Sequence, residues 1–241
     1  MEKIFVCIPT YNEVDNIKNL LNKVYSASQK IDNYELEIVV VDDNSPDGTA
    51  KLVENISINF PLKIHLIKNP GKGGLGRAYL QAFKYGIEKG AYAVCEMDAD
   101  LSHDPKYLVR IAKLISKYDL VIASRYVEDG GTINWGFKRQ FISRGGNIYS
   151  MIILGLKVND LTGGYNCYRT SVFKKVNLDS IKSLGYAFQI ELKYRTIKAG
   201  FTFIETPIIF VDRVKGVSKL SNSIFSEALF APWKLKFGKR G

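Results

Sequence analysis

The sequence predicts an α/β fold, a mostly parallel central sheet flanked by helices, on three observations. Short β-branched runs alternate with amphipathic segments through the first half of the chain. Polar and acidic residues follow three of those runs directly, at the carboxyl ends of strands where parallel sheets collect ligands. The 241 residues, 46% hydrophobic and 24% charged, suffice for one large core in ordinary globular proportions.

In chain order, Ile4 to Ile8 reads as a strand and Val14 to Ser28 as a helix. Glu37 to Val41 and Thr49 to Phe60 repeat the pair, as do Lys63 to Ile67 and Arg77 to Lys89. Ala91 to Met97 is a fourth strand, followed by a helix opening at Asp104 and Pro105 as cap and first-turn residue, and by a fifth strand at Leu120 to Ser124. The second half is less regular: a Gly-rich loop over Asp129 to Gly136, a helix from Lys138 to Leu154, a strand over Tyr165 to Arg169, a helix from Tyr186 to Lys198 and a last strand over Thr202 to Val211. No repeat or long linker divides it, so residues 1–220 are expected to form one domain, with 221–241 as a basic amphipathic tail.

Cys7, Cys95 and Cys167 are odd in number and sit in apolar runs, which predicts core residues of a reducing compartment rather than a disulfide framework. No leader pattern precedes the first strand, and the apolar stretch Met151 to Leu156 is far below the roughly 20 residues a spanning helix needs. Neither secretion nor a membrane span is expected. The net charge of +10 is uneven, with seven Lys or Arg against Glu227 from Arg213 onward, so an anionic partner is expected near that end.

Asp98 and Asp100 leave the fourth strand two residues apart, so their carboxylates point the same way and form a hard oxygen site for Mg²⁺ or Mn²⁺ shared with a nucleotide diphosphate. As a lone acidic pair it would read as a solvated strand-end turn; the surrounding sequence changes that reading. Asp42 and Asp43 bring a second pair to the same edge, either to accept hydrogen bonds from a base or ribose or to cap the next helix with Ser45 and Pro46. Gly71-Lys72-Gly73-Gly74-Leu75-Gly76 fits a dinucleotide-binding spacing but follows the third strand, and is read as a flexible loop closing over a nucleotide. Arg125, Arg139, Arg144, Arg169, Arg213 and Lys219 are scattered, which suits discrete phosphates better than nucleic acid. Arg139 and Ser143 lie one helical turn apart and face one anion. For Arg110, Arg195 and Arg240 a surface ion pair is expected. His65, mid-strand, reads as a satisfied core or surface residue, and His103 as a group behind the carboxylates.

With Pro9-Thr10-Tyr11-Asn12-Glu13, Asp42-Asp43-Asn44-Ser45-Pro46-Asp47-Gly48-Thr49 and Met97-Asp98-Ala99-Asp100-Leu101-Ser102-His103 in place, the chain resembles the dolichyl-phosphate mannose synthases of family 2 of the inverting glycosyltransferases. Ser124-Arg125-Tyr126, Arg139 with Ser143-Arg144-Gly145, Asp160-Leu161-Thr162-Gly163-Gly164 and Val211 to Leu220 extend the match over residues 3–220. The resemblance implies a GT-A type nucleotide-sugar-binding fold. It implies transfer of mannose from GDP-mannose to a polyprenyl (dolichyl) phosphate, giving a lipid-linked mannose for glycan assembly. It places Pro9, Tyr11, Glu13, Val41, Asp43, Asp98, Ala99, Asp100, Arg125, Arg213 and Lys219 around the donor, with Asp98, Asp100 and Arg125 as catalytic residues. Arg139 and Ser143 are implied at the acceptor phosphate, and Asp98, Asp100 and Ser102 at Mg²⁺ or Mn²⁺. Ser102 departs from the pattern, since some relatives carry Gln there.

A phosphate monoester is already anionic near neutral pH and needs no base to attack the anomeric carbon. The aromatic and basic tail, Ser223 to Phe237, reads as an interfacial or partner-docking helix, or as a helix packed on the domain. A peripheral position on the cytoplasmic face of a membrane follows, with a membrane surface or a small membrane protein as partner. Two other readings stay open at this point: glucosyl transfer from UDP-glucose to the same lipid, and a non-catalytic nucleotide- or nucleic-acid-binding module.

Overall fold

The computed structural model describes residues 1–183, 185, 187–212 and 222–238. A seven-stranded sheet runs in the order β3-β2-β1-β4-β7-β5-β8. Its strands are β1 (Glu2–Thr10), β2 (Tyr34–Asp42), β3 (Ile64–Lys68), β4 (Ala93–Glu96), β5 (Leu120–Ser124), β7 (Asn166–Arg169) and β8 (Phe203–Pro207). Helices α1 (Val14–Ser28), α2 (Thr49–Ser57) and α4 (Leu108–Ile115) cover one face, and α3 (Leu75–Glu88) and α6 (Ala187–Lys198) the other.

The period of two along each strand builds both cores. Ile4, Val6 and Ile8 of β1 join Leu36, Ile38 and Val40 of β2 beneath α1, whereas Phe5 and Cys7 join Val39 and Val41 beneath α3. The three cysteines are free and buried, as their apolar context predicts. After β3 the chain crosses back, so that β1 lies between β2 and β4 in parallel register. Connections diverge to opposite faces at that seam, and a crevice opens at the carboxyl ends of β1 and β4.

Three features depart from the expected pattern. β7 is antiparallel to both neighbours, pairing Cys95 with Cys167 and Val121 with Cys167. The last strand breaks at Pro207, which has no N–H to continue a ladder, and Ile209–Val211 (β9) leaves the sheet to pair with Gly131–Ile133 (β6) inside the expected Gly-rich loop. The helix opening at Asp104 begins as a 3-10 turn, Pro105–Tyr107, with the Asp104 carboxylate accepting from Lys106 N at 3.0 Å.

Helix α5 (Phe137–Leu154) spans the second half and meets α7 (Asn222–Phe237), which also packs on α6. Gly145 and Gly146 stand in the middle of α5, where each costs the helix about 0.5–1 kcal/mol relative to alanine. Neither has a positive φ, and a methyl group added at either meets nothing within 4 Å. Their absence of side chains therefore answers to neither a turn nor close packing.

At the amino end of the sheet, buried Glu37 accepts from Lys3 Nζ at 2.5 Å and meets His65 Nε2 at 2.5 Å, while Tyr85 Oη bonds His65 Nδ1 at 2.8 Å. His65 is thus a satisfied core residue, as expected. Burial pushes the Glu37 carboxyl up, but the bonds from His65 and Lys3 together outweigh it and hold it below the usual value of 4.5. A carboxyl depressed on folding adds stability above its unfolded pKa and loses it as pH falls. Glu37→Gln is therefore expected to cost about 1–3 kcal/mol at neutral pH. Melting curves should also show a shallower loss of stability than wild type on acidification from about pH 5 to about pH 3. Parallel pH profiles for the two proteins would remove this role.

Candidate active site

At the crevice, the carboxyl ends of β1 and β2 are stitched together by Asp42. It accepts from Thr10 Oγ1 at 2.8 Å, Ser45 N at 2.8 Å and Ser45 Oγ at 2.6 Å. Asp47 accepts from Val14 N at 3.1 Å and Thr49 N at 2.9 Å, so one side chain secures the starts of both α1 and α2. Asn12 and Asn44 take left-handed backbone at φ 60 each, a conformation asparagine tolerates. These bonds make the acidic run after β2 a turn builder, one of its two expected readings.

Asp43 is buried and accepts from Asn69 Nδ2 at 2.8 Å, Gly73 N at 2.9 Å and Gly74 N at 3.1 Å. It therefore anchors the Gly71 to Gly76 loop, and Lys72 of that loop lies over the Tyr11 ring at 4.4 Å. The loop expected to close over a nucleotide is held beside Tyr11 by Asp43. Pro9, Tyr11 and Glu13 are half-buried along this rim, and Glu13 Oε2 accepts from Asn16 Nδ2 at 2.9 Å. Val41 is fully buried, its side chain in the α3 core and its position in β2 paired with Pro9 of β1 and Ile67 of β3.

Beyond β4 the chain turns at Asp98-Ala99-Asp100. Asp98 Oδ1 accepts from Tyr79 Oη at 2.9 Å, and Tyr79 is fully buried, stacked on Phe188 at 6.1 Å. Asp98 N donates to His103 Nδ1 at 3.0 Å, which assigns the ring proton to Nε2, 3.9 Å from Asp98 Oδ2. Burial lowers the pKa of His103, and the ring stacks on Tyr165 at 4.9 Å, so a neutral imidazole braces the carboxylate turn from behind. Asp100 Oδ1 accepts from Ser102 N at 3.0 Å and Ser102 Oγ at 2.6 Å. Leu101 between them sits at φ 66 with its side chain against the core beneath α4, and Ala99 is buried in the same core.

Asp98 and Asp100 are half-buried, and with the Ser102 hydroxyl they form an all-oxygen set. Among the described residues no cluster of three or more His, Cys, Asp or Glu forms a self-sufficient metal cage. A two-carboxylate, one-hydroxyl set fits a hard divalent cation that completes its shell with substrate oxygens.

The basic side is built at the ends of β5 and α5. Buried Arg125 forks onto Asp160, with Nε to Oδ2 at 2.8 Å and Nη2 to Oδ1 at 2.7 Å, and Nη2 also donates to Thr162 Oγ1 at 2.8 Å. Tyr126, Trp135 and Phe210 enclose the guanidinium, with ring centroids 5.0, 5.5 and 5.8 Å away. Burial raises the Asp160 carboxyl, yet the Arg125 charge and hydrogen bonds carry it net below its usual value. Under this loop lies Lys193, fully buried, whose Nζ donates to Leu161 O at 3.1 Å and Gly163 O at 2.5 Å. Burial lowers its pKa to about 8 against the pull of Asp160 and Glu96.

Arg139 and Ser143 do share a neighbourhood. Arg139 Nη1 contacts Asp212 Oδ2 at 2.5 Å with its guanidinium 4.3 Å from the Trp135 ring, and Ser143 Oγ bonds Tyr126 Oη at 2.8 Å. Arg213, Lys219 and Arg240 lie outside the described residues. Arg169 does not join the site. Because β7 is antiparallel, Arg169 pairs with Ala93 at the amino end of β4, where it meets Asp119 and the carbonyls of Ile115 and Ser116. Arg110 and Arg195 have structural partners, Pro207 O and Glu191 respectively. Tyr79, Asp160, Thr162, Trp135, Lys193 and Asp212 support the site without having been singled out from the sequence. Asp160, Thr162 and Asp212 stood inside quoted motifs.

A switch-point crevice with carboxylates on one wall and guanidinium groups on the other is the working end of a GT-A type nucleotide-sugar-binding domain. The chain belongs to glycosyl transferase family 2, whose family model matches residues 5–176. It is 40% identical, over 98% of this chain and 88% of the relative, to the polyprenol monophosphomannose synthase of Mycolicibacterium smegmatis. It is 39% identical, over 94% and 91%, to the undecaprenyl-phosphate mannosyltransferase of Micrococcus luteus. Among solved structures, the fold is shared with Mycobacterium tuberculosis glucosyl-3-phosphoglycerate synthase in complex with Mn²⁺, UDP and glucosyl-3-phosphoglycerate, at a TM-score of 0.67 and 15% identity over 100% of this chain and 81% of that one. A mannosyltransferase from Pyrobaculum calidifontis in complex with GDP-Man and Mn²⁺ superposes at 0.60 with 18% identity, over 96% and 69%.

Proposed function

We propose that the chain transfers mannose from GDP-mannose to a polyprenyl phosphate with inversion. A phosphate oxygen of the acceptor forms a bond to the anomeric carbon as the bond to the GDP oxygen breaks, yielding polyprenyl phosphate mannose and GDP. The observation that carries the reading is Arg139, ion-paired with the Asp212 carboxylate at 2.5 Å and one helical turn from Ser143: a guanidinium that already pairs with one oxyanion has the chemistry to take a phosphate oxygen in its place. Two mannosyltransferase relatives that align along nearly the whole chain support the donor and acceptor classes.

Arg139 and Ser143 hold the acceptor phosphate, Arg125 fixes the wall between the two substrates, and the Asp43-anchored loop covers the nucleotide beside Tyr11. Asp98, Asp100 and Ser102 would hold Mg²⁺ or Mn²⁺, which supplies charge neutralisation at the departing diphosphate. Pro9, Glu13, Val41 and Ala99 line the donor side, and Arg213 and Lys219 add donor contacts from the segment after β9.

The enzyme works at the cytoplasmic face of an anionic membrane. Phe137, Phe141, Ile148 and Ile152 are exposed along one side of α5, and Leu229, Phe230, Trp233 and Phe237 are exposed on α7, whose last turn carries Lys234 and Lys236. Among the described residues no helix is long and apolar enough to cross a membrane.

The test is transfer of labelled mannose from GDP-mannose to a prenyl phosphate in the presence of Mn²⁺ and its loss with chelator; absence of lipid-linked mannose with every prenyl phosphate would reject the reading. Within it, Arg139→Ala is expected to raise the KM for the lipid phosphate at least about tenfold, as the loss of one charged hydrogen bond predicts. The KM for GDP-mannose should stay unchanged. An equal rise in both would place Arg139 elsewhere in the reaction.

A further inference from the structure

Trp135 stands in the short loop between β6 and α5, on the basic wall of the crevice. The Arg139 guanidinium lies 4.3 Å from its ring and that of Arg125 5.5 Å, while Phe210 meets the ring edge-on at 5.4 Å. The indole Nε1 is shielded from solvent, yet it donates to no acceptor among the described residues. A shielded donor left without a partner is destabilising, and native proteins keep few of them.

The surroundings explain why the N–H goes unmet. A guanidinium carries donors and no acceptor, and the Phe210 ring offers only carbon. The Asp212 carboxylate is brought to this wall by the β6–β9 pair, where Asp212 N donates to Ile133 O at 3.1 Å, but it engages Arg139 and not the indole. What would complete such a wall is an oxyanion with more oxygens than a carboxylate has. A phosphate monoester presents three terminal oxygens, enough for Arg139, Ser143 and the indole together.

We propose that Trp135 is a further substrate-binding residue, its indole N–H donating to an oxygen of the acceptor phosphate once that phosphate takes the place of Asp212 on Arg139. The proposal rests on the acceptor being a prenyl phosphate. Arg139 supplies charge from a long side chain. The indole, set between Phe210 and two guanidinium groups, supplies a fixed direction, so that a defined phosphate oxygen is left facing the anomeric carbon.

Two replacements remove the N–H. Trp135→Phe keeps an aromatic face for Arg139, and replacement of Trp135 by benzothienylalanine keeps the whole shape of the ring, with sulfur where the N–H was. Each should raise the KM for farnesyl phosphate at least about tenfold, the scale of a lost hydrogen bond to a charged group, with the KM for GDP-mannose unchanged. The melting temperature of the benzothienylalanine protein should not fall, because the N–H has no partner among the described residues to lose. An indole that serves the fold alone gives the opposite pattern, a lower melting temperature with an unchanged KM, and that result overturns the proposal. An equal rise in both KM values overturns it too. Should Trp135→Phe fail to fold, the isosteric replacement decides: it keeps the ring over Arg139, so a rise in its KM for farnesyl phosphate cannot act through that guanidinium. If the wild type transfers to no prenyl phosphate, the acceptor reading fails and takes this proposal with it. If the wild type transfers and the isosteric protein matches it, the proposal alone fails.

Discussion

Asp100→Ala is expected to lower mannose transfer on the order of a hundred- to a thousandfold, because under the proposed mechanism it removes one of the two carboxylates that would hold a cation at the departing diphosphate. Several kcal/mol of transition-state charge stabilisation converts to a loss of that size. The fold should persist, since Asp100 accepts locally from Ser102 N at 3.0 Å and Ser102 Oγ at 2.6 Å, and its side chain is half-buried at a turn. Two measurements separate the outcomes. Calorimetric titration with GDP should show Mn²⁺-enhanced binding in wild type and little enhancement in the variant, while the thermal midpoints stay close. Wild-type turnover by Asp100→Ala in Mn²⁺ would remove the carboxylate from the chemistry.

Asp160→Asn is the change expected to cost the most stability. Asp160 is fully buried and holds Arg125 through bonds at 2.7 and 2.8 Å, while also accepting from Arg125 N at 3.0 Å and Gly163 N at 2.8 Å. Removing its charge takes from Arg125 the carboxylate it forks onto at low dielectric, a loss of about 3–5 kcal/mol. For a chain of this size the melting temperature should fall by roughly 10 °C or more. The depressed carboxyl also sets a sign with pH: its stabilisation is present above the usual Asp value of 3.8 and fades as pH drops further. Adding Arg125→Met to Asp160→Asn should recover part of the loss, because the buried charge goes with it. A midpoint within a degree of wild type for Asp160→Asn would contradict this account.

The parallel half of the sheet was legible because strands buried on both faces read as continuous β-branched runs, and the intervening helices keep a one-sided apolar stripe. The Asp98-Ala99-Asp100 turn was legible for the same reason, since a strand that ends on a carboxylate declares its own edge. β7 was not legible as antiparallel: Asn166 to Arg169 is four residues long and carries nothing that sets direction, so Arg169 could be grouped with the phosphate-binding candidates although it lies at the amino end of β4. Lys193 escaped notice because a lysine on a helix reads as solvated, whereas on α6 the alternate residues Gln189, Glu191 and Lys193 are all buried and bonded to the loop and strands beneath. Polar residues buried by partners from distant sequence leave no local pattern. Asp43 was legible as a site residue but not as a loop anchor, because its partners Gly73 and Gly74 lie some thirty positions away.

Leu101 joins two demands that pull apart. Its backbone at φ 66 is one that asparagine adopts more cheaply, yet its side chain is seated in the core beneath α4. An engineer hardening this molecule against heat would gain from relaxing the turn and lose from cutting the tether that aims Asp100. Resistance to heat and accuracy of aim are traded at one position, so a sturdier variant at 101 should be a slower enzyme.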